Sequence, residues 1–222
     1  MIPGMDLVEF IKWGGVLAVA IVIFAESGLL IGFFLPGDSL LFTAGFLTSA
    51  GYVPMNIHLL VLILFLAAAL GDSVGYMFGR RIGPRIFNRP NSRIFKQENV
   101  QKASDFYEKY GGKTIIFARF MPVIRTFAPI IAGVAKMNYR TFLTYNIIGA
   151  LIWAVGVTYA GFFIGGYFQS IGVGPDHVLL PIVGLILLTS IVPPAWHLLK
   201  NKRQREAMWN GTKRQIRLLL KR

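Results

Sequence analysis

The sequence predicts an all-α polytopic membrane protein: two oppositely oriented re-entrant helical hairpins, about three spanning helices and an amphipathic surface helix, arranged as a transporter-like inverted repeat. Three observations carry this reading. Apolar runs of spanning length recur along 222 residues that are 55% hydrophobic and 15% charged, against about 25% charged in a soluble domain. Basic residues cluster beside those runs, so the net charge of +13 reads as topology signals and not as nucleic-acid binding. The stretch from Phe117 to Gly133 is apolar enough for a bilayer, yet it carries Arg119 and Arg125 and is broken by Pro122 and Pro129. With no cysteine there is no disulfide or thiolate site, and His58, His177 and His197 lack ligand spacing, so no metal or cofactor is expected.

The first element is a hairpin over about residues 13–49. Its apolar run, Trp13 to Leu35, passes Ala18-Val-Ala20, the small residues of a cleavage site, but the leader is not basic and the run continues, which predicts a retained segment. Glu26 interrupts the run. Phe34-Leu-Pro-Gly-Asp-Ser39 then supplies a breaker at Pro36 and Gly37 and a candidate N-cap at Asp38. On a straight helix Glu26 and Asp38 would lie about 18 Å apart, whereas a turn at Pro36-Gly37 brings them together. Capping alone would account for Asp38. Glu26 has no such simple account, and a carboxyl group among apolar residues can take up and release a proton unless an arginine compensates it.

The second element is a span over residues 57–79, after the polar turn Gly51-Tyr-Val-Pro-Met-Asn56. Gly71, Gly75 and Gly79 recur every fourth residue and give a smooth face for close helix approach. Asp72 beside them needs a partner, and an arginine from the later hairpin is the natural one. Residues 80–113 hold nine Lys or Arg against three acids, which marks a cytoplasmic segment. Within it Val100, Ala103, Tyr107 and Tyr110 fall at helical spacing, as in an amphipathic helix that either lies on the membrane or packs on the domain as a connector.

The third element, residues 114–135, holds the two arginines. Each costs roughly 2.5–3.5 kcal/mol at bilayer depth, so each calls for a partner, water or a ligand. Six residues of unbroken helix would turn Arg125 about 240° from Arg119, so a break at Pro122 is needed for convergence, and Thr126 is placed to cap a second short helix. Irregular backbone at that depth must be buried or line a watery cavity.

Spans at 141–168 and 177–199 follow, the first long enough to tilt or bend near Gly156 and Gly161, and residues 200–222 form a tail with nine Lys or Arg and one Glu. Residues 80–113, 136–140 and the tail then share the cytoplasmic side, so the arginine stretch must enter and leave on one side. Residues 1–200 are read as one transmembrane domain, with the C-terminus cytoplasmic. A weak internal repeat agrees: Phe34-Leu-Pro36 with Phe120-Met-Pro122, Ala44-Gly45 with Ala132-Gly133, Met55-Asn56 with Met137-Asn138, each before a long span.

Glu26, Phe34-Leu-Pro-Gly-Asp38, the spaced residues from Gly71-Asp72 to Gly83, and Arg119-Phe-x-Pro-x-x-Arg-Thr-x-x-Pro129 with Ala132-Gly133 resemble the DedA family of bacterial membrane proteins. That family shares its core with the VTT-domain lipid scramblases, and the resemblance covers about residues 10–200. It implies translocation of undecaprenyl phosphate, a polyprenyl phosphate lipid recycled for envelope polymers, across the inner membrane in dependence on the proton gradient. It implies that Arg119 and Arg125 bind the phosphate and that Glu26 and Asp38 couple protons or hold ion pairs, with Asp72, Pro36, Gly37, Pro122, Thr126 and Pro129 in support. The residues themselves support an anionic group at a cationic, water-accessible site, since arginine matches phosphate by bidentate hydrogen bonds.

Other readings compete with this one. A proton-coupled antiporter would use the acids for a small cation or drug, a nonspecific phospholipid scramblase would ignore the proton gradient, and a structural membrane protein would act through its basic tail on anionic lipids or a partner. No nucleophile or His pair points to an enzyme. The glycine faces permit a homodimer.

Overall fold

A computed structural model of the chain describes residues 7–29, 35–87 and 109–173, with positions 105, 107, 178, 181 and 184. The chain divides into two compact units, Met1–Val183 and Gly184–Arg222, and the architecture below is that of the first. The expected span at 177–199, the basic tail, and most of the amphipathic segment at 88–108 lie outside the described residues.

Among the described residues the structure is helical, without strands. α1 is Leu7–Gly28, α2 Gly37–Ser49, α3 Ile57–Phe87, α4 Lys113–Arg119 and α5 Pro122–Val134. A continuous rod then runs through α6, Tyr139–Ala150, a π turn at Leu151–Val155, and α7, Gly156–Ser170. Two stretches, Ile57–Ile82 and Tyr139–Ser170, are long and apolar enough to cross a membrane. α1 is kinked at Gly15, where φ of 63° suits glycine.

Several expected boundaries move. The first break is not confined to Pro36-Gly37: α1 already ends at Gly28, and Pro36 is the residue before α2. The helix starting at Ile57 runs past residue 79 into the basic segment as far as Phe87, its membrane-capable stretch being Ile57–Ile82. Pro129 does not break its helix, because α5 runs through it; the interruption falls at Phe120–Met121, and Pro122 opens α5 where a missing N–H costs little. Thr126 therefore lies inside α5, whose N-cap position is Met121. In the long rod the irregularity sits just before Gly156, while Gly161 is explained by packing.

The internal repeat is carried by packing. After α2 the chain turns at Ala50 and Gly51, with φ of 77° at Gly51, and after α5 at Ala135 and Lys136, with φ of 55° at Lys136. Both turns close with the same pair of backbone bonds: Gly51 and Tyr52 to Thr48 and Leu47, Lys136 and Met137 to Gly133 and Ala132. The following helices both open beside an asparagine: Asn56 accepts from the His58 amide at 2.8 Å and Asn138 from the Arg140 amide at 2.9 Å.

Each short helix then packs on the long helix of the other half, α2 along α7 and α5 along α3. A Cβ at Gly45 would strike the Thr158 carbonyl, and one at Gly161 the Phe42 carbonyl. In the other seam the same is true of Gly133 against Tyr76 and of Gly79 against Ile130. Thr158 and Tyr76 hold the same position counted from the helix starts at Tyr139 and Ile57. The α3 glycines, read as a close-packing face, thus form one side of such a seam, and Gly71 meets α1 at Phe24 and Gly28.

The α3–α5 seam is anchored at one end by Tyr76, Ile115, Ala132 and Phe142, with the Tyr76 and Phe142 rings stacked 4.6 Å apart. Tyr107 joins this cluster and donates to the Ala128 carbonyl at 3.1 Å, so at this residue the basic segment packs on the domain as a connector. Burial pushes its phenol up to about 12, leaving it a neutral donor at ordinary pH.

Candidate functional site

The surface is as apolar as the core. α3 turns Leu59, Leu62, Leu66 and Leu70 outward and buries Leu60, Leu64, Ala68 and Asp72; Leu17, Ile21, Ile148, Ile152 and Phe163 are likewise exposed. Inside lie the charges. The carboxyl-bearing Glu26 is 1% exposed and Arg119 4%.

The break at Phe120–Met121 does what the arginines require. Although they sit on separate helices, both guanidiniums lie against the Trp153 indole, with Cζ 5.5 Å from the ring centre for Arg119 and 5.0 Å for Arg125. Arg119 pairs with Asp72, and its Nη2 also donates to Asn146 Oδ1 at 2.9 Å; Asn146 in turn donates to the Ala69 carbonyl at 3.0 Å. Arg125 takes the other two acids, Glu26 through Nη2 and Asp38 through Nη1 at 2.8 Å. Trp153 Nε1 donates to the same Asp38 oxygen at 2.7 Å.

Asp38 is therefore no cap. It sits in the first turn of α2 without a capping bond, and Arg125 and Trp153 hold it, with its side chain 23% exposed. Glu26 packs against Gly37, where a Cβ would coincide with Oε2. Pro36 and Gly37 thus turn the chain and leave room for the carboxyl group. Thr126 is buried in α5, and Pro129 lines the site.

Ser27, Asp72, Ile115, Arg119, Arg125, Ala128, Pro129 and Trp153 surround a cavity of about 10 Å³, room for about one water. Arg119 Nη1 and Glu26 Oε2 are buried with no hydrogen-bond partner. Such orphaned charged atoms are costly, and Arg119, which lines the cavity, has there a donor that water or a ligand oxygen can meet. The cluster holds three carboxylates and two guanidiniums, so with every group ionised it is one proton away from neutrality. Among the described residues no group of three metal-ligating side chains occurs.

Trp153 and Asn146 were not singled out from sequence. An indole in an apolar run looks like packing, although Asn146, a lone amide in the same run, was a readable signal.

A helical protein that exposes leucine and buries paired charges around a small polar cavity is a membrane protein with an internal polar site. The VTT domain family matches residues 35–163. The chain is 46% identical over 202 residues to the protein DedA of Escherichia coli K12, covering 90% of each chain. It is 43% identical over 180 residues to an uncharacterized membrane protein of Mycobacterium leprae, with 81% of this chain and 79% of that one covered. The inner membrane protein YqjA of Escherichia coli K12 is 34% identical over 145 residues, 65% of each chain. This chain belongs to the DedA family of VTT-domain membrane proteins. No solved structure matches it significantly.

Proposed function

We propose that this protein is a proton-coupled transporter of lipid phosphates in the bacterial inner membrane, moving undecaprenyl phosphate for carrier recycling in envelope polymer synthesis. The observation that carries the proposal is the buried cluster itself: two guanidiniums against one indole, held by three carboxylates, with a donor of Arg119 left free. Two guanidiniums in one buried cluster suit a dianionic head group, while the prenyl tail stays in hydrocarbon. In this mechanism a proton on Glu26 or Asp38 weakens its hold on Arg125, and the phosphate takes the vacated place. The reaction is transport, with no bond made or broken.

The two helix pairs act as re-entrant hairpins. At 1.5 Å per residue the stretch of α1 from its kink, Gly15–Gly28, is about 21 Å long, α2 and α5, with 13 residues each, about 20 Å, and α4, with 7, about 10 Å, against about 30 Å of hydrocarbon. About three full spans complete a multi-pass domain whose C-terminal basic tail lies in the cytoplasm near anionic lipid.

The test is translocation of polyprenyl phosphate in proteoliposomes, with and without a pH gradient, for the natural protein and Arg119→Ala/Arg125→Ala. Flipping that needs the arginines and the gradient, and is not seen with zwitterionic phospholipid, is the expected result. If no gradient produces any flipping, the excess of acids over arginines favours a small-cation antiporter instead.

A further inference from the structure

Trp153 is held in place by a local irregularity that the glycine seams do not need. It lies in the π turn Leu151–Val155, 4% exposed, and the following Gly156 has open space where a Cβ would stand. A π turn inserts one residue into the helical register, and such turns concentrate at functional sites. Gly156 serves no close contact, so its effect is to weaken the helix next to the turn. The extra residue aims one indole at three partners. Its ring meets both guanidiniums, and its edge donates to the Asp38 oxygen that also accepts from Arg125 Nη1.

We propose that Trp153 is the positioning residue of the site: its ring gathers Arg119 and Arg125 into one seat for a monoalkyl phosphate, and its N–H ties Asp38 to that seat. This rests on the lipid-phosphate reading above. An indole N–H can only donate, so its bond is strongest to a carboxylate and is weakened or lost when the proton sits on the accepting oxygen. Protonation of Asp38 then releases the edge of the ring while the ring still holds both arginines, and the seat opens on the α2 side. The other charged groups facing this unit are Glu26 on α1, Asp72 on α3, Arg119 on α4 and Arg125 on α5, and only Asp38 shares a hydrogen bond with the indole. Arg119, locked by Asp72 and Asn146, serves as the fixed side of the seat; Arg125 is the side that exchanges.

Two substitutions separate ring from N–H. Trp153→Phe keeps the aromatic floor and removes the donor; it should slow transport and displace its pH profile. Trp153→Leu removes the floor and should weaken apparent affinity for polyprenyl phosphate on the order of tenfold, the loss of a buried cation–π contact. A profile for Trp153→Phe that superimposes on the natural one, together with natural affinity in a folded Trp153→Leu, overturns the proposal. A second measurement does not depend on transport. With Trp13, Trp196 and Trp209 changed to Phe, Trp153 is the sole indole, and its emission should change with pH in the natural background and change less in Asp38→Asn, where only the other acids around Arg125 and Arg119 still titrate. An identical pH response in both overturns the tie to Asp38. Failure of the natural protein to translocate polyprenyl phosphate, with this optical response intact, would sink the substrate and leave the positioning role standing.

Discussion

At the residue scale, the site depends on atoms that are missing as much as on those present. Gly37 is required because the Glu26 carboxyl occupies the place of a side chain. Gly37→Ala should push Glu26 off Arg125 and reduce translocation by on the order of tenfold or more, since a buried pair that loses one partner is strongly destabilised. Gly156→Ala is the contrasting change: nothing lies near its Cβ, and it should raise thermal stability by about 0.5–1 kcal/mol. Equal transport and equal melting in both variants would show that the seating of Glu26 is unimportant. The charged positions could be read in advance because an ionised group in an apolar run is costly, and that cost shows in one residue's identity. The need of Asp72 for an arginine followed directly. Its choice of Arg119 and the bond between Asp38 and Trp153 did not, since partner choice depends on how α1 to α5 and the rod that carries Trp153 converge.

At the element scale, the glycines of α3 announced a close contact but not its partner. The seams join α2 to α7 and α5 to α3, so helices that meet lie in opposite halves of the chain. The repeat was faint in sequence for a reason visible here. The turns match Ala50–Gly51 with Ala135–Lys136, whereas the seams match Gly45 with Gly133, one helical turn out of step. If each seam moves as one body, locking it should not stop transport. Ser49 Oγ lies where a Cβ on Gly165 would make close contact, and the chain has no native cysteine. The Ser49→Cys/Gly165→Cys pair should therefore cross-link, and the linked protein should retain most of its translocation rate. Complete arrest on oxidation, reversed by reductant, would show instead that α2 slides on α7 during the cycle.

At the scale of the whole molecule, every ion pair described in the site crosses between halves: Glu26, Asp38 and Asp72 come from the first, Arg119 and Arg125 from the second. With the exchanged helices, this makes each half incomplete. Two fragments divided between residues 90 and 100, expressed together, should associate and resist proteolysis, while either alone should be degraded; a stable first fragment on its own would contradict that dependence. The order of charges along the chain also bears on biosynthesis. All three acids leave the ribosome before either arginine exists. At 5–20 residues per second, Glu26 precedes Arg119 by roughly 5–20 s. For that interval the membrane-insertion machinery must handle apolar helices carrying uncompensated carboxyl groups, and they meet their counter-charges only when the second half arrives.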